Sequence, residues 1–131
     1  MTRVIRAIAR ELARPDDQGA NWYGWLTAQS GHALLGVAMA GAFIMAGGAA
    51  LTAWVVVGVG YATAKELPDY VVSPAWRTAR DCLRDALFVS GGAGLAATLA
   101  AGSALYWLAL GAIAAGLAIG TYQRAARALA A

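Results

Sequence analysis

Charge is what this chain has least of where it matters. Its seventeen charged side chains (ten Lys and Arg, seven Asp and Glu) are confined to three short segments. Residues 31–64 and 86–123 contain no Asp, Glu, Lys or Arg at all. A charge at a bilayer centre costs about 2.5–3.5 kcal/mol even on mild insertion scales, so long charge-free runs rich in Ala, Val, Leu and Gly suit lipid. Cysteine is nearly absent too. With Cys82 alone there is no intrachain disulfide and no thiolate metal cluster, and a small packing residue is the simpler role for it. A phosphate-cradling Gly-x-x-x-x-Gly-Lys run is missing. Ser30, Ser73, Ser90 and Ser103 lack the small-residue elbow that activates a serine nucleophile.

What is present is apolar surface. Hydrophobic residues make up 60% of 131 positions and charged ones 13%, against about 25% charged in an average soluble domain. Such a chain is too small to bury that much apolar surface internally, which predicts an integral membrane protein. The net charge of +3 comes from arginines and a lysine that flank the apolar stretches, as juxtamembrane charges do, so nucleic acid is not an expected partner.

Each silent stretch is too long for one span. Thirty-four residues of helix would extend about 51 Å, against a hydrocarbon core of about 30 Å. Both contain a break near the middle, Gly47-Gly48 and Gly102-Ser103. The expected fold is therefore an all-α, four-helix transmembrane bundle of two hairpins, with helices near 29–46, 49–66, 80–101 and 104–123. Pro68 is expected to end the second helix, and Ser73-Pro74 to cap the third. Arg77 and Asp81 are spaced to pair on one face of the third helix.

Residues 1–20 are expected to form a basic amphipathic interfacial helix and linker, and 21–131 the four-span domain. On a helical projection Val4, Ile5, Ile8 and Leu12 share one side while Arg3, Arg6, Arg10 and Arg14 fall opposite. This places the helix in the headgroup plane, arginines toward anionic lipid. It lacks the apolar core of a cleavable signal. Trp22, Tyr23 and Trp25 then read as an interfacial aromatic belt.

Small residues recur in the spans. Gly91, Gly92 and Gly94 open the membrane part of the third helix, and Gly116 and Gly120 form a small-xxx-small pair in the fourth. Such residues allow close helix packing, within one chain or between copies. The spans' polar residues, Thr52, Thr63, Ser90, Thr98 and Tyr122, are too sparse for a continuous wet path, which argues against a selective channel.

One constellation carries chemical potential. His32 begins the first span, Lys65, Glu66 and Asp69 end the second, and Asp81 and Asp85 precede the third. Antiparallel pairing about Gly47-Gly48 brings His32 opposite position 63 or so, one turn from Glu66. A His with two or three carboxylates suits a divalent cation, a polar headgroup or acid–base work; helix-end snorkelling and pairing is the simpler alternative. Gly31-His32, Lys65-Glu66 with Asp69, then Asp81, Asp85 and Gly91-Gly92 resemble the core of small VanZ- and YfiM-related membrane families over residues 31–94. The spacing here is Lys-Glu-x-x-Asp where those families carry one residue more. The resemblance implies a membrane fold and a shared polar cluster.

Three functions are expected from these features. The first is a bacterial inner-membrane protein acting by self-association, of the holin-like kind that permeabilises membranes in phage lysis. The second is a VanZ/YfiM-like envelope protein whose His–carboxylate cluster binds a cation or a lipid headgroup. The third is an accessory subunit beside a membrane or phage protein partner. None requires a cofactor, and a non-enzymatic role is expected over an enzymatic one. All ten basic residues fall on the side of the termini and the middle loop, and none in the hairpin turns, so the positive-inside bias places both termini in the cytoplasm. Reporter fusions at Gly47-Gly48 and Gly102-Ser103 are expected to report the periplasmic side, and a fusion after Ala131 the cytoplasmic side. A periplasmic C-terminus would exclude the two-hairpin topology.

Overall fold

The computed structural model describes residues 21–130. The predicted N-terminal amphipathic helix, with Arg3, Arg6, Arg10 and Arg14, lies outside the described residues. Those described are all-helical: α1 Trp22–Met45, α2 Ala50–Tyr61, a π turn Ala62–Glu66, α3 Leu67–Val72, α4 Trp76–Ala100 and α5 Leu105–Ala130. Two of these helices, α1 and α5, are long and apolar enough to cross a membrane. The other two long segments differ for visible reasons. The first ten residues of α4 include five charged ones, and the helical path over 50–72 is divided by the π turn.

Both predicted breaks are present, and one device makes both. The Gly47 N–H bonds to the Ile44 carbonyl and the Gly48 N–H to that of Phe43, with Gly47 at φ +91°. In the second hairpin Gly102 bonds to Leu99 and Ser103 to Thr98, with Gly102 at φ +61°. These are Schellman ends, in which a left-handed residue after the helix satisfies its last carbonyls; glycine fits because it lacks a Cβ. Ser103 Oγ then accepts from the Leu105 N–H at 3.3 Å and opens α5. The start of α1 is capped by Asn21, whose side chain accepts from the Gly24 N–H at 2.9 Å.

The other ends differ from expectation. Pro68 does not end the second helix; the path continues to Val72. A proline has no N–H to bond and clashes with the carbonyl four residues back. The π turn relieves this, since its wider winding sends the Leu67 N–H back to the Ala62 carbonyl just before the proline. Ser73-Pro74 is not a cap either. Ser73 closes α3, Ala75 precedes α4, and no side chain caps its first turn.

Helix α4 is the centre of the bundle and touches every other element, most extensively α1. Glycines fix that crossing. A Cβ on Gly36 would overlap the Val89 carbonyl, and one on Gly92 would overlap the Ala33 carbonyl. Around this contact Ala40, Ala53, Val57, Val89 and Ala93 form the inner core. A second cluster of Trp25, Ala33 and Phe88 lies toward the charged end. There Gly120 leaves room for the Trp25 ring, while Arg124 stacks 4.2 Å over it and Phe88 meets it edge-on. Gly91 and Gly116 also face inward, toward Ile113 and Phe88 respectively.

Replacing Gly36 or Gly92 with Ala should therefore destabilise the fold by about 1–3 kcal/mol or more, because backbone rather than a flexible side chain is in the way. Gly41→Ala and Gly111→Ala, with nothing within 4 Å of the added carbon, should be neutral or stabilise by about 0.5–1 kcal/mol. Thermal unfolding in detergent micelles distinguishes the two pairs. Equal effects at all four positions would refute the backbone-contact account.

Candidate functional site

Three helices converge on a polar cluster one to two turns from the charged end of the core. On α1 the buried stripe runs Trp25, Gln29, Ala33, Gly36 and Ala40, spaced four, four, three and four residues apart. That spacing faces a single partner helix, so the side chain of Gln29 is carried straight toward α4. It is 3% exposed, and its Nε2 donates to Asp85 Oδ1 at 2.7 Å. His32, one turn on, brings Nδ1 to 3.5 Å from the same oxygen.

From the other side, the ring of Tyr61 lies edge-on to His32 with centroids 6.0 Å apart. The Tyr61 hydroxyl and the Cys82 thiol both lie beside the Glu66 carboxylate. Glu66 is 5% exposed. Its second oxygen, Oε1, finds no donor among the described residues, and neither does the buried Gln29 Oε1. The π turn decides this placement. It winds Glu66 inward while Lys65 turns out to pair with Asp69.

The six residues singled out in the sequence thus divide. His32, Glu66 and Asp85 come together. Lys65 and Asp69 pair with one another, and Asp81 pairs with Arg84 at 3.0 Å, so these form an outer layer of helix-end ion pairs. His32 reaches Asp85, with Tyr61 standing between it and Glu66. Among the described residues no three His, Cys, Asp or Glu are grouped so as to hold a metal ion. The Glu66 and Asp85 carboxylates face different neighbours instead.

Sequence reasoning does not place Gln29, Tyr61 or Cys82 in the cluster. Gln29 carries a usable signal, being a large amide three residues from His32 at the edge of a charge-free run. Cys82 carries one only through its spacing from Asp85 on the same helix. A groove of about 260 Å³ between the π turn, α3 and α4 reaches this cluster, lined by Glu66, Tyr70, Cys82 and the apolar Leu67, Leu83 and Ala86.

Chemically, the cluster is rich in acceptors and poor in cations. An ionised carboxylate buried without a cation is costly, so such a group is held neutral or takes up a donor. No known protein family, curated protein or solved structure matches the chain.

The short bond from Gln29 should dominate the cluster's stability. A double-mutant cycle over Gln29→Ala and Asp85→Ala, read by unfolding in micelles, is expected to give a coupling of about 1–2 kcal/mol. The corresponding cycle of His32→Ala with Asp85→Ala should give less, given its 3.5 Å separation. Additive effects of Gln29 and Asp85 would show that the bond contributes nothing.

Proposed function

We propose that this chain is a four-span protein of the bacterial inner membrane, two antiparallel hairpins with both termini cytoplasmic, and that its working part is the buried acceptor cluster. Helices α1 and α5 support the membrane reading. At 24 and 26 residues they are about 36 and 39 Å long, enough for a 30 Å core. In their most apolar stretches only 22% and 6% of residues are buried, whereas the core helix of a soluble protein would be mostly buried. Tyr106 and Trp107 at the turn end, and Trp22, Tyr23, Trp76 and Tyr122 at the other, suit two interfacial aromatic belts.

Depth supports the cluster as a site. Glu66 lies sixteen residues from Ala50 and Asp85 fifteen from Ala100, the helix ends at the hairpin turns, about 23–24 Å along a helix. In a core of about 30 Å both carboxylates sit inside the apolar slab, near its cytoplasmic edge. An ionisable group at such a depth is a candidate functional group by default.

The observation that carries the reading is Glu66, a 5% exposed carboxylate beside the Tyr61 hydroxyl and the Cys82 thiol, whose Oε1 has no donor among the described residues. A lipid headgroup bearing an ammonium, entering along the 260 Å³ groove, would supply the missing donor. This is the envelope-protein alternative of the sequence, narrowed from a cation or a lipid headgroup to an ammonium-bearing headgroup. Self-association of the lysis kind draws less support, because Gly116 and Gly120 face Phe88 and Trp25 of their own chain.

Titration of the detergent-purified chain with short-chain phosphatidylethanolamine tests the proposal. Glu66→Gln is expected to weaken binding about ten-fold, the loss of one charge-assisted contact. Lys65→Gln should have little effect. Inducible expression in a Gram-negative host should leave growth and membrane potential intact. Abrupt arrest with collapse of the potential, unaffected by Glu66→Gln, would return the lysis reading to first place.

A further inference from the structure

A second cavity lies on the opposite side of α4 from Glu66. It is a cleft of about 530 Å³ between α4 and α5, closed at its inner wall by Trp54 of α2. On α4 its lining runs Arg84, Leu87, Phe88, Gly91, Gly94 and Thr98, a single helical face. Half of the facing residues of α5 are small, Ala109, Ala112 and Gly116. Its walls are apolar from the turn end onward, and among the described residues Arg84 is the one charged group lining it.

The shape selects the occupant. The lining spans fifteen residues of α4 and twelve of α5, so the cleft is about 17–21 Å long. A single polymethylene chain suits a narrow apolar cleft of this length. The glycines at 91 and 94 make the groove possible, because side chains there would fill its floor: a Cβ on Gly94 would lie 3.0 Å from the Trp54 ring and one on Gly91 3.3 Å from Ile113. The indole of Trp54 is held in place by its Nε1, which donates to Ser90 Oγ at 3.2 Å.

The charge selects the headgroup. Arg84 stands at the end of the cleft away from the hairpin turns, the end that carries the basic residues. One guanidinium nitrogen holds Asp81 at 3.0 Å. A guanidinium has five N–H donors in a fixed fork, so others remain for a phosphate oxygen at the mouth.

We propose that the α4–α5 cleft is a binding site for one acyl chain of an anionic phospholipid, with the lipid phosphate against Arg84. This rests on the membrane reading but not on the Glu66 site, which lies across α4 and takes a different headgroup. Leu87 and Leu108, both exposed at the rim, would flank the chain on its lipid side.

Native mass spectrometry of the full-length protein in detergent, titrated with phosphatidylglycerol or phosphatidylcholine of matched chains, tests the site. Wild type should retain one phosphatidylglycerol with several-fold preference over phosphatidylcholine. Arg84→Gln should keep a lipid adduct and lose the preference. Ala112→Phe, at an exposed lining position, should remove the adduct of both lipids; Ala109→Leu offers a smaller filling if the first variant melts early by circular dichroism. Glu66→Gln should change neither, which separates this site from the headgroup cluster. Equal retention of the two lipids by wild type, or an adduct unchanged in a folded filled variant, would overturn the proposal. So would a wild-type dimer that the filled variant converts to monomer, since the cleft would then hold a second copy.

Discussion

The backbone-to-backbone contact between α1 and α4 is the constraint on which the other features depend. At Gly36 and Gly92 the two helices meet with no side chain between them. In the membrane reading lipid gives no hydrophobic drive to bring helices together, and association relies on dense packing and on polar bonds. Both are set here by the same crossing. It allows a core of Ala40, Ala53, Val57, Val89 and Ala93, in which nothing larger than valine is fully enclosed. It also fixes the register one to two turns further on, where Gln29 and His32 face Asp85. Moving the helices apart by the width of a methyl group would loosen the core and lengthen a 2.7 Å bond together.

The π turn does comparable work on the second wall of the site. Between Tyr61 and Pro68 an ordinary α-helix would meet the proline's ring with a carbonyl and leave a bond unmade. The wider turn avoids the clash and shifts the rotational phase of the residues after it. As a result adjacent charged residues are sorted to opposite environments, Glu66 inward to Tyr61 and Cys82, Lys65 outward to Asp69. A helix strained by proline thus becomes the means of burying one carboxylate while its neighbour stays paired at the edge.

Much of the architecture was legible in the sequence, and the remainder was hidden for physical reasons. The turns could be read because Gly47 and Gly102 sit in charge-free runs too long for one span, and a positive φ favours glycine. The helix ends on the charged side could not, because Pro68 and Ser73-Pro74 have ordinary meanings that a π turn and a late start of α4 override. Of the site, the ionisable members were visible as exceptions in an apolar chain. Their partners were not, since pairing depends on rotational phase and a stripe such as Ala33, Gly36 and Ala40 gives little contrast to reveal which face of α1 is buried. Gln29 lies on that stripe, and only the crossing at Gly36 shows that it points at Asp85.

The bond between Gln29 and Asp85 has a consequence in time as well as in space. Its two ends are separated by 56 positions, and each belongs to a different hairpin. A chain made N-terminus first at about 5–20 residues per second emerges with Gln29 about 3–11 s ahead of Asp85. Throughout that interval the first hairpin, in the four-span reading, holds the Gln29 amide without the Asp85 carboxylate that receives it. Insertion machinery and membrane proteases would meet a half-protein marked by an unanswered polar edge, and the arrival of α4 is what erases the mark.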